Sequence, residues 1–212
     1  KLKSLPAHPE QALTNAGWNW MLGEDTVPYV VNDVVVVNEA IAENYYESTA
    51  RLYEMFVEAG QYAIDHLLFK EMGIPENLIE MIKLSWDDDR HLHLYGRFDL
   101  AGGVDGQPVK LIEFNADTAT CIPETGIVQW AHLRMNGLDE ANQFNTLYET
   151  LVSQFRHLTE VNPDLTPSIL FTSMRGYPED DANVSVLSEA AQEAGFDVDF
   201  AYIDEVEFSD GE

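Results

Sequence analysis

Four polar side chains stand at alternate positions of two apolar segments near the middle of the chain. Arg97 and Asp99 belong to the segment HLYGRFDL, and Glu113 and Asn115 belong to the segment KLIEFN. Successive strand residues point to opposite faces, so each pair would share one face of its own strand. Two carboxylates and an amide oxygen are hard ligands suited to Mg²⁺, and a guanidinium offers a fork of donors to a phosphate. These residue types together would suit phosphoryl chemistry.

The register of the hairpin decides whether the two pairs share one face. The dipeptide Asp105-Gly106 is a strong signal for a tight turn between the two segments. A register in which paired positions sum to 212 places Asp99 opposite Glu113, whereas a strict two-residue turn gives a sum of 211 and separates the faces. A bulge at the adjacent glycines, 102 and 103, would restore agreement. The alternative is a solvated sheet face whose charges pair with one another.

The periodicity of apolar residues predicts the elements that position this hairpin. Residues 1–28 read as irregular structure or a docking arm. Strands are predicted over 29–38, 91–100, 109–116, 168–174 and 197–204. Helices are predicted from Glu39 to Gly60, over 62–72, over 73–86, from Pro123 to about Leu133, over 140–161 and from Ala182 to Ala194.

This order of elements indicates an α/β chain with an antiparallel hairpin and a C-terminal β-α-β unit. Residues 1–165 are predicted to form a helical and hairpin part that binds substrate and metal. Residues 166–212 are predicted to form a β-α-β unit of the same or an adjoining domain, cut short after its second strand. The continuous apolar segment SILFTSM is typical of a strand in a sheet that is covered on both faces.

Composition excludes several classes of protein. The net charge is −27, from 38 acidic and 11 basic residues, so the chain should repel nucleic acid and anionic membranes and could bind metal ions or a polyamine. The alternative explanation of this charge is solubility or a salt-loving source. A single cysteine excludes a disulfide framework. With neither an 18-residue apolar run nor a signal-peptide pattern, a cytoplasmic location is expected.

The hairpin motifs resemble those of a known family. YGRFDL, the later KLIEFNADTATC and the segment ILFTSMRGYPEDDANV are similar to glutathionylspermidine synthase-like proteins, which are ATP-grasp acid–amine ligases. The resemblance implies a pre-ATP-grasp-like domain within an enzyme that joins a carboxylate to an amine through an acyl phosphate, using ATP and Mg²⁺. The acid would be glutathione or another small peptide, and the amine a polyamine. The half that binds most of the ATP should follow residue 212, so this fragment alone should be inactive.

The resemblance also implies roles for individual residues. Arg97 would be catalytic and steady the transferring phosphoryl group, and Mg²⁺ would be held by Asp99, Glu113 and Asn115. Substrate would be bound by Asp117, Thr118, Thr120, Cys121, Glu179 and Asp180. For Cys121 the alternative is a small buried thiol without a role. Two other hypotheses remain for the whole chain: a non-catalytic acidic module that binds a peptide, polyamine or metal ion, and a purely structural domain.

Overall fold

The computed structural model describes residues 1–23, 27–116 and 118–207. The strands are β1 Leu2–Ser4, β2 Asp33–Val35, β3 Arg97–Ala101, β4 Lys110–Asn115, β5 Ser168–Ser173 and β6 Asp197–Tyr202. The helices are α1 Glu10–Asn15, α2 Glu39–Asp65, α3 Ile79–Asp87, α4 Gln129–Met135, α5 Leu147–Val161 and α6 Pro178–Ala194. The predicted α/β class, with an antiparallel hairpin and a C-terminal β-α-β unit, is confirmed.

The chain divides into two compact units. The terminal unit combines Lys1–Val36 with Asp117–Glu212, and the central unit is Val37–Ala116. The β-α-β segment belongs to the same unit as the residues from 117 to 165, whereas the hairpin belongs to the central unit. Among the described residues, no helix is both long enough and apolar enough to pass through a lipid bilayer.

The central unit is built on one long helix, α2, where the sequence predicted two. Asn38 caps its start by accepting a hydrogen bond from the Ile41 amide at 3.0 Å. The predicted break at Gly60 is wrong because this glycine supplies space: a Cβ there would lie 2.6 Å from Cη2 of Trp86. The prediction of a helix over 62–72 is also wrong, since α2 ends at Asp65 and turns follow.

The hairpin turn has the geometry that its sequence predicts. Asp105 and Gly106 have φ angles of 52° and 74°, and the Gln107 amide donates to the Val104 carbonyl at 3.0 Å. Positive φ at both central positions is the feature that makes Asp-Gly a favoured hairpin turn. The predicted first strand is shorter than expected, because β3 begins only at Arg97.

The terminal unit holds the compact core. Strands β5 and β6 are parallel and joined through α6, and α5 packs against α6. Phe155 of α5 also contacts Phe196, which lies between α6 and β6, with 5.9 Å between ring centroids. The N-terminal segment was predicted to be irregular structure or a docking arm. The prediction of irregular structure is wrong, since the segment contains β1 and α1 and buries Leu13 and Met21. The predicted strand over 29–38 is reduced to β2, which pairs with β1.

The helix predicted after Cys121 begins with an unusual segment. Residues Glu124–Val128 are π-helical and run directly into α4. Directly after α4, its C-cap residue Asn136 accepts a hydrogen bond from the Ala7 amide and donates one to the Ala7 carbonyl, both at 2.9 Å. This pair of bonds fixes the N-terminal segment to α4. π-Helical insertions often occur at functional sites.

Candidate functional site

A β-bulge in β4 places the four polar residues on one face of the hairpin. Arg97 pairs with Asn115 and Asp99 pairs with Glu113, so the sum of 212 holds here. Beyond Asp99 the register shifts, and Leu100 pairs with Leu111 at the sum of 211 that the tight turn dictates. The prediction of one shared face is therefore confirmed. The bulge lies in β4 rather than at the glycines that follow β3.

The polar face carries two hydrogen-bonded pairs. Arg97 Nε donates to Asp99 Oδ1 at 2.8 Å, and Asn115 Nδ2 donates to Glu113 Oε1 at 3.0 Å. The Arg97 and Asp99 side chains are 28% and 36% exposed, so both can be reached from solvent. The hydrogen bond from Arg97 lowers the pKa of the Asp99 carboxyl below its ordinary value. Asp99 is therefore a carboxylate at neutral pH.

The opposite face of the hairpin anchors it to α2. Phe98 and Phe114 stack with their ring centroids 4.2 Å apart, and Phe56 of α2 lies 4.9 Å from Phe114. Tyr45 lies on the same face of α2 as Phe56, and its hydroxyl donates to the Gly102 carbonyl at 2.6 Å. This aromatic contact fixes which side of the hairpin is apolar, and hence which side presents the carboxylates.

The donor set of the polar face suits a hard divalent cation. Asp99 and Glu113 are direct cross-strand neighbours, and Asn115 adds an amide. Among the residues that the structure describes, no cluster of three His, Cys, Asp or Glu side chains could hold a metal ion. Two carboxylates and an amide form an incomplete shell of the kind Mg²⁺ accepts, since Mg²⁺ keeps several waters and uses substrate phosphates as ligands. The residues present therefore fit Mg²⁺.

A cavity of about 430 Å³ lies in the terminal unit, at the carboxyl ends of β5 and β6. Ligands of open parallel sheets bind at this edge of the strands. Hydroxyl groups, one carboxylate and apolar side chains form its wall: Thr118, Ala119, Thr120, Thr172, Ser173, Met174, Asp180, Val184 and Ile203. The cavity thus offers several neutral hydrogen-bonding groups and a single negative charge.

Three of the predicted substrate residues line this cavity, namely Thr118, Thr120 and Asp180. Glu179 is exposed in the first turn of α6 and does not line it. Cys121 is half-buried, also outside the cavity lining, and has a φ of 64°, in the left-handed region that a residue with a side chain seldom adopts. Asp117 lies outside the described residues. The structure thus brings part of the predicted set together.

Asp181 joins the three elements around the cavity, although the sequence did not single it out. Its carboxylate accepts a short hydrogen bond of 2.5 Å from Ser173 at the end of β5. The hydroxyl of Tyr202, at the end of β6, approaches the second oxygen at 3.5 Å. A hydroxyl residue at the end of an apolar strand and an acidic residue in the first turn of the following helix were the signals available in the sequence.

Asn183 is a second residue that the sequence analysis missed. It is 1% exposed, accepts a hydrogen bond from the Ile122 amide at 3.0 Å and donates one to the Glu179 carbonyl at 2.9 Å. Ile122 is itself fully buried and directly follows the loop that carries Thr118 and Thr120. Asn183 therefore attaches this loop to α6. An asparagine among the apolar positions of a helix is the signal that indicates such a role.

Tyr29 and Glu124 form a further polar contact beside Cys121. The Tyr29 hydroxyl donates to Glu124 Oε1 at 2.8 Å, and burial together with this carboxylate raises the pKa of Tyr29. The other oxygen, Oε2, is buried and has no hydrogen-bond partner among the described residues. Glu124 opens the π-helical segment, so the unusual backbone and the unsatisfied oxygen coincide.

Comparison with known proteins finds several whose sequences are similar to this chain. A protein of Haemophilus influenzae named "Putative acid–amine ligase" is 27% identical over 99% of this chain, which covers 54% of that protein. The bifunctional glutathionylspermidine synthetase/amidase of Escherichia coli is 29% identical over 57% of the chain, covering 20% of its own length. Trypanothione synthetase of Crithidia fasciculata is 30% identical over 48% of the chain, covering 17% of its length.

The chain spans about half the length of the first of these relatives and a smaller part of the others. All three carry names of ligases or synthetases. The family model described as glutathionylspermidine synthase preATP-grasp matches residues 2–212, which is nearly the whole sequence. The chain therefore belongs to the glutathionylspermidine synthase pre-ATP-grasp family.

Proposed function

We propose that this chain is the metal- and substrate-binding part of an ATP-dependent ligase that joins a small peptide carboxylate to a polyamine. The observation that carries the proposal is the bulged register, because it gathers Arg97, Asp99, Glu113 and Asn115 on one accessible face. A regular hairpin at the sum of 211 would separate these residues. Membership of a family whose relatives are acid–amine ligases supports the same assignment.

The hairpin residues are proposed to have different roles, which their chemistry determines. Asp99, Glu113 and Asn115 are proposed to hold Mg²⁺, which would neutralise phosphate charge. Arg97 is positioned by Asp99 and directs its planar guanidinium towards the same face. A guanidinium beside a transferring phosphoryl group stabilises charge that grows in the transition state, and the product of this step would be an acyl phosphate.

The cavity of the terminal unit is proposed to bind part of the peptide substrate. Its hydroxyl groups include those of Thr118, Thr120 and Thr172, a kind of group that can donate to carboxylate and amide oxygens, whereas the Ser173 hydroxyl already donates to Asp181. Asp180 offers its charge to an ammonium group. The apolar side wall suits a short aliphatic or thiol-bearing side chain. A zwitterionic peptide such as glutathione matches this combination of groups.

The proposal is tested with the full-length protein. Phosphate release from ATP should require Mg²⁺, a peptide carboxylate such as glutathione and an amine such as spermidine together. The Asp99→Asn variant should lose this release by orders of magnitude. Tight binding of peptide or polyamine without any ATP turnover would identify a non-catalytic binding module and overturn the proposal.

A further inference from the structure

One part of the cavity wall in the terminal unit is not held in place by burial. Ile203 lines the cavity and opens the segment Ile203–Glu205, a single turn of 3₁₀ helix that directly follows β6. We call this segment the β6 turn. None of its residues is buried, and Ile203 is 56% exposed. Since packing contributes little here, polar contacts must fix the position of Ile203.

Arg175 connects the β6 turn to the end of β5. Its Nη2 lies 2.6 Å from Glu205 Oε1, and its Nε lies 3.5 Å from Asp204 Oδ2. The guanidinium carbon also lies 4.1 Å from the ring centroid of Tyr202, the last residue of β6. Arg175 directly follows Met174, which lines the cavity. One side chain therefore joins the chain segments that leave the two strands beside the cavity.

The groups that Arg175 contacts are themselves held by the fold. Glu205 Oε2 accepts a hydrogen bond from the Tyr202 amide at 3.1 Å, so both oxygens of this carboxylate are engaged. Tyr202 pairs with Ser173 in the parallel sheet, which fixes the backbone from which each segment starts. An isolated exposed ion pair contributes little, whereas several charges in a network contribute more, and the ring of Tyr202 adds a cation–π attraction.

The same contacts disfavour a direct role for Arg175 in binding an anionic ligand. Two carboxylates, those of Asp204 and Glu205, already lie beside the guanidinium and offset its charge. A phosphate or carboxylate ligand would have to displace at least one of them from the donor fork. Arg175 is also not among the residues that line the cavity. Any effect of Arg175 on a ligand must therefore pass through the β6 turn.

We infer that Arg175 is a positioning residue, which holds the β6 turn so that Ile203 completes the cavity wall and raises the affinity of the cavity for its ligand. The inference rests on the proposed function, in which this cavity binds part of a peptide substrate. Without a cation between them, the adjacent carboxylates of Asp204 and Glu205 would also repel one another. The turn would then occupy a wider range of positions, and Ile203 would contact a bound peptide less often.

Hydrogen exchange of the full-length protein, measured by mass spectrometry, tests whether Arg175 holds the β6 turn. Arg175→Met removes the charge and keeps a long side chain, whereas Arg175→Lys keeps the charge. Amides of residues 202–206 should exchange about fivefold faster or more in Arg175→Met, and Arg175→Lys should recover part of the protection. Arg156→Met is the matched control, because Arg156 is exposed and donates to the Glu193 carbonyl, away from the cavity lining. It should leave these amides unchanged.

Steady-state assays of the same variants, with ATP, glutathione and spermidine, test the effect on the cavity. Arg175→Met should raise KM for glutathione by about fivefold to tenfold and leave kcat within about twofold, the pattern expected when only substrate binding is lost. Arg175→Lys should restore part of the KM. Its melting temperature and that of Arg175→Met should stay close to the wild-type value, because the ion pairs are exposed.

Unchanged exchange at residues 202–206 in Arg175→Met would overturn the inference, as would faster exchange with an unchanged KM for glutathione. A joint fall of kcat and melting temperature would also overturn it, since Arg175 would then be a general structural residue. Absence of turnover in the wild-type protein would refute the proposed function. Faster exchange of the β6 turn in Arg175→Met would, in that case, still establish Arg175 as the residue that positions this wall.

Discussion

Replacing Asn183 by alanine should loosen the loop that carries the substrate hydroxyls. The side chain is 1% exposed and satisfies the amide of Ile122, which is itself fully buried. Its loss leaves that amide without a partner, at a cost of about 1–3 kcal/mol, and adds a small cavity. The Glu179 carbonyl also loses its hydrogen bond from Asn183. The expected loss of unfolding free energy is therefore about 2–4 kcal/mol.

Urea unfolding monitored by circular dichroism measures this loss of unfolding free energy. Titration with glutathione measures the affinity of the cavity for this peptide. The variant should bind glutathione more weakly even under conditions in which it remains folded, because Ile122 directly follows the loop of Thr118 and Thr120. Asn142→Ala is the matched control: this asparagine is exposed and donates only to the Asp139 carbonyl in its own turn. If Asn183→Ala lost less than about 0.5 kcal/mol, the loop would be held by other contacts and the reasoning would be refuted.

Three further outcomes are expected. Arg97→Lys in the full-length enzyme should lower kcat by about 10²-fold with little change in KM for ATP, because lysine keeps the charge but loses the fork of guanidinium donors. A lower melting temperature with unchanged kcat would instead make Arg97 a structural partner of Asp99. Asp99→Asn should weaken Mn²⁺ binding by about tenfold or more, as measured by electron paramagnetic resonance, whereas Asp105→Asn in the turn should leave Mn²⁺ binding unchanged. Burial lowers the pKa of His132, so the unfolded chain binds a proton more readily than the folded chain. The unfolding free energy should therefore fall as the pH decreases below about 6.5. A His132→Gln variant that kept the same pH dependence in urea unfolding would contradict this.

The polar face of the hairpin was open to prediction because it depends on local rules. Alternation places Arg97 with Asp99, and the Asp-Gly turn fixes where the strands reverse. The position of the bulge was not predictable in the same way. Its extra residue lies in β4, the strand whose Phe114 stacks on Phe98 and makes a tilted contact with Phe56 of α2. Two of those rings are distant in sequence from the third, and no local pattern reports the contact.

The errors in the helices have a similar origin. A glycine costs about 1 kcal/mol in a helix relative to alanine, so ending a helix at Gly60 is the reasonable local expectation. The packing of Trp86 against that glycine outweighs the cost in the folded chain, and α2 continues. Asn183 escaped notice for the converse reason. Its polarity suggested an exposed position, whereas its two hydrogen bonds to the backbone make a buried position favourable.

The hairpin satisfies two registers that appear to exclude each other. Near the turn the pairing must sum to 211, because Asp105 and Gly106 close a two-residue loop. At the far end it must sum to 212 if Asp99 and Glu113 are to meet. One extra residue in β4 reconciles the two requirements, and it also keeps Leu100 opposite Leu111. A bulge interrupts the ladder and leaves one residue unpaired, so the register that it creates must be needed on at least one face. On the apolar face this register places Phe98 opposite Phe114, which contacts Phe56 of α2. On the polar face it gathers Arg97, Asp99, Glu113 and Asn115, which is the arrangement that the proposed function requires.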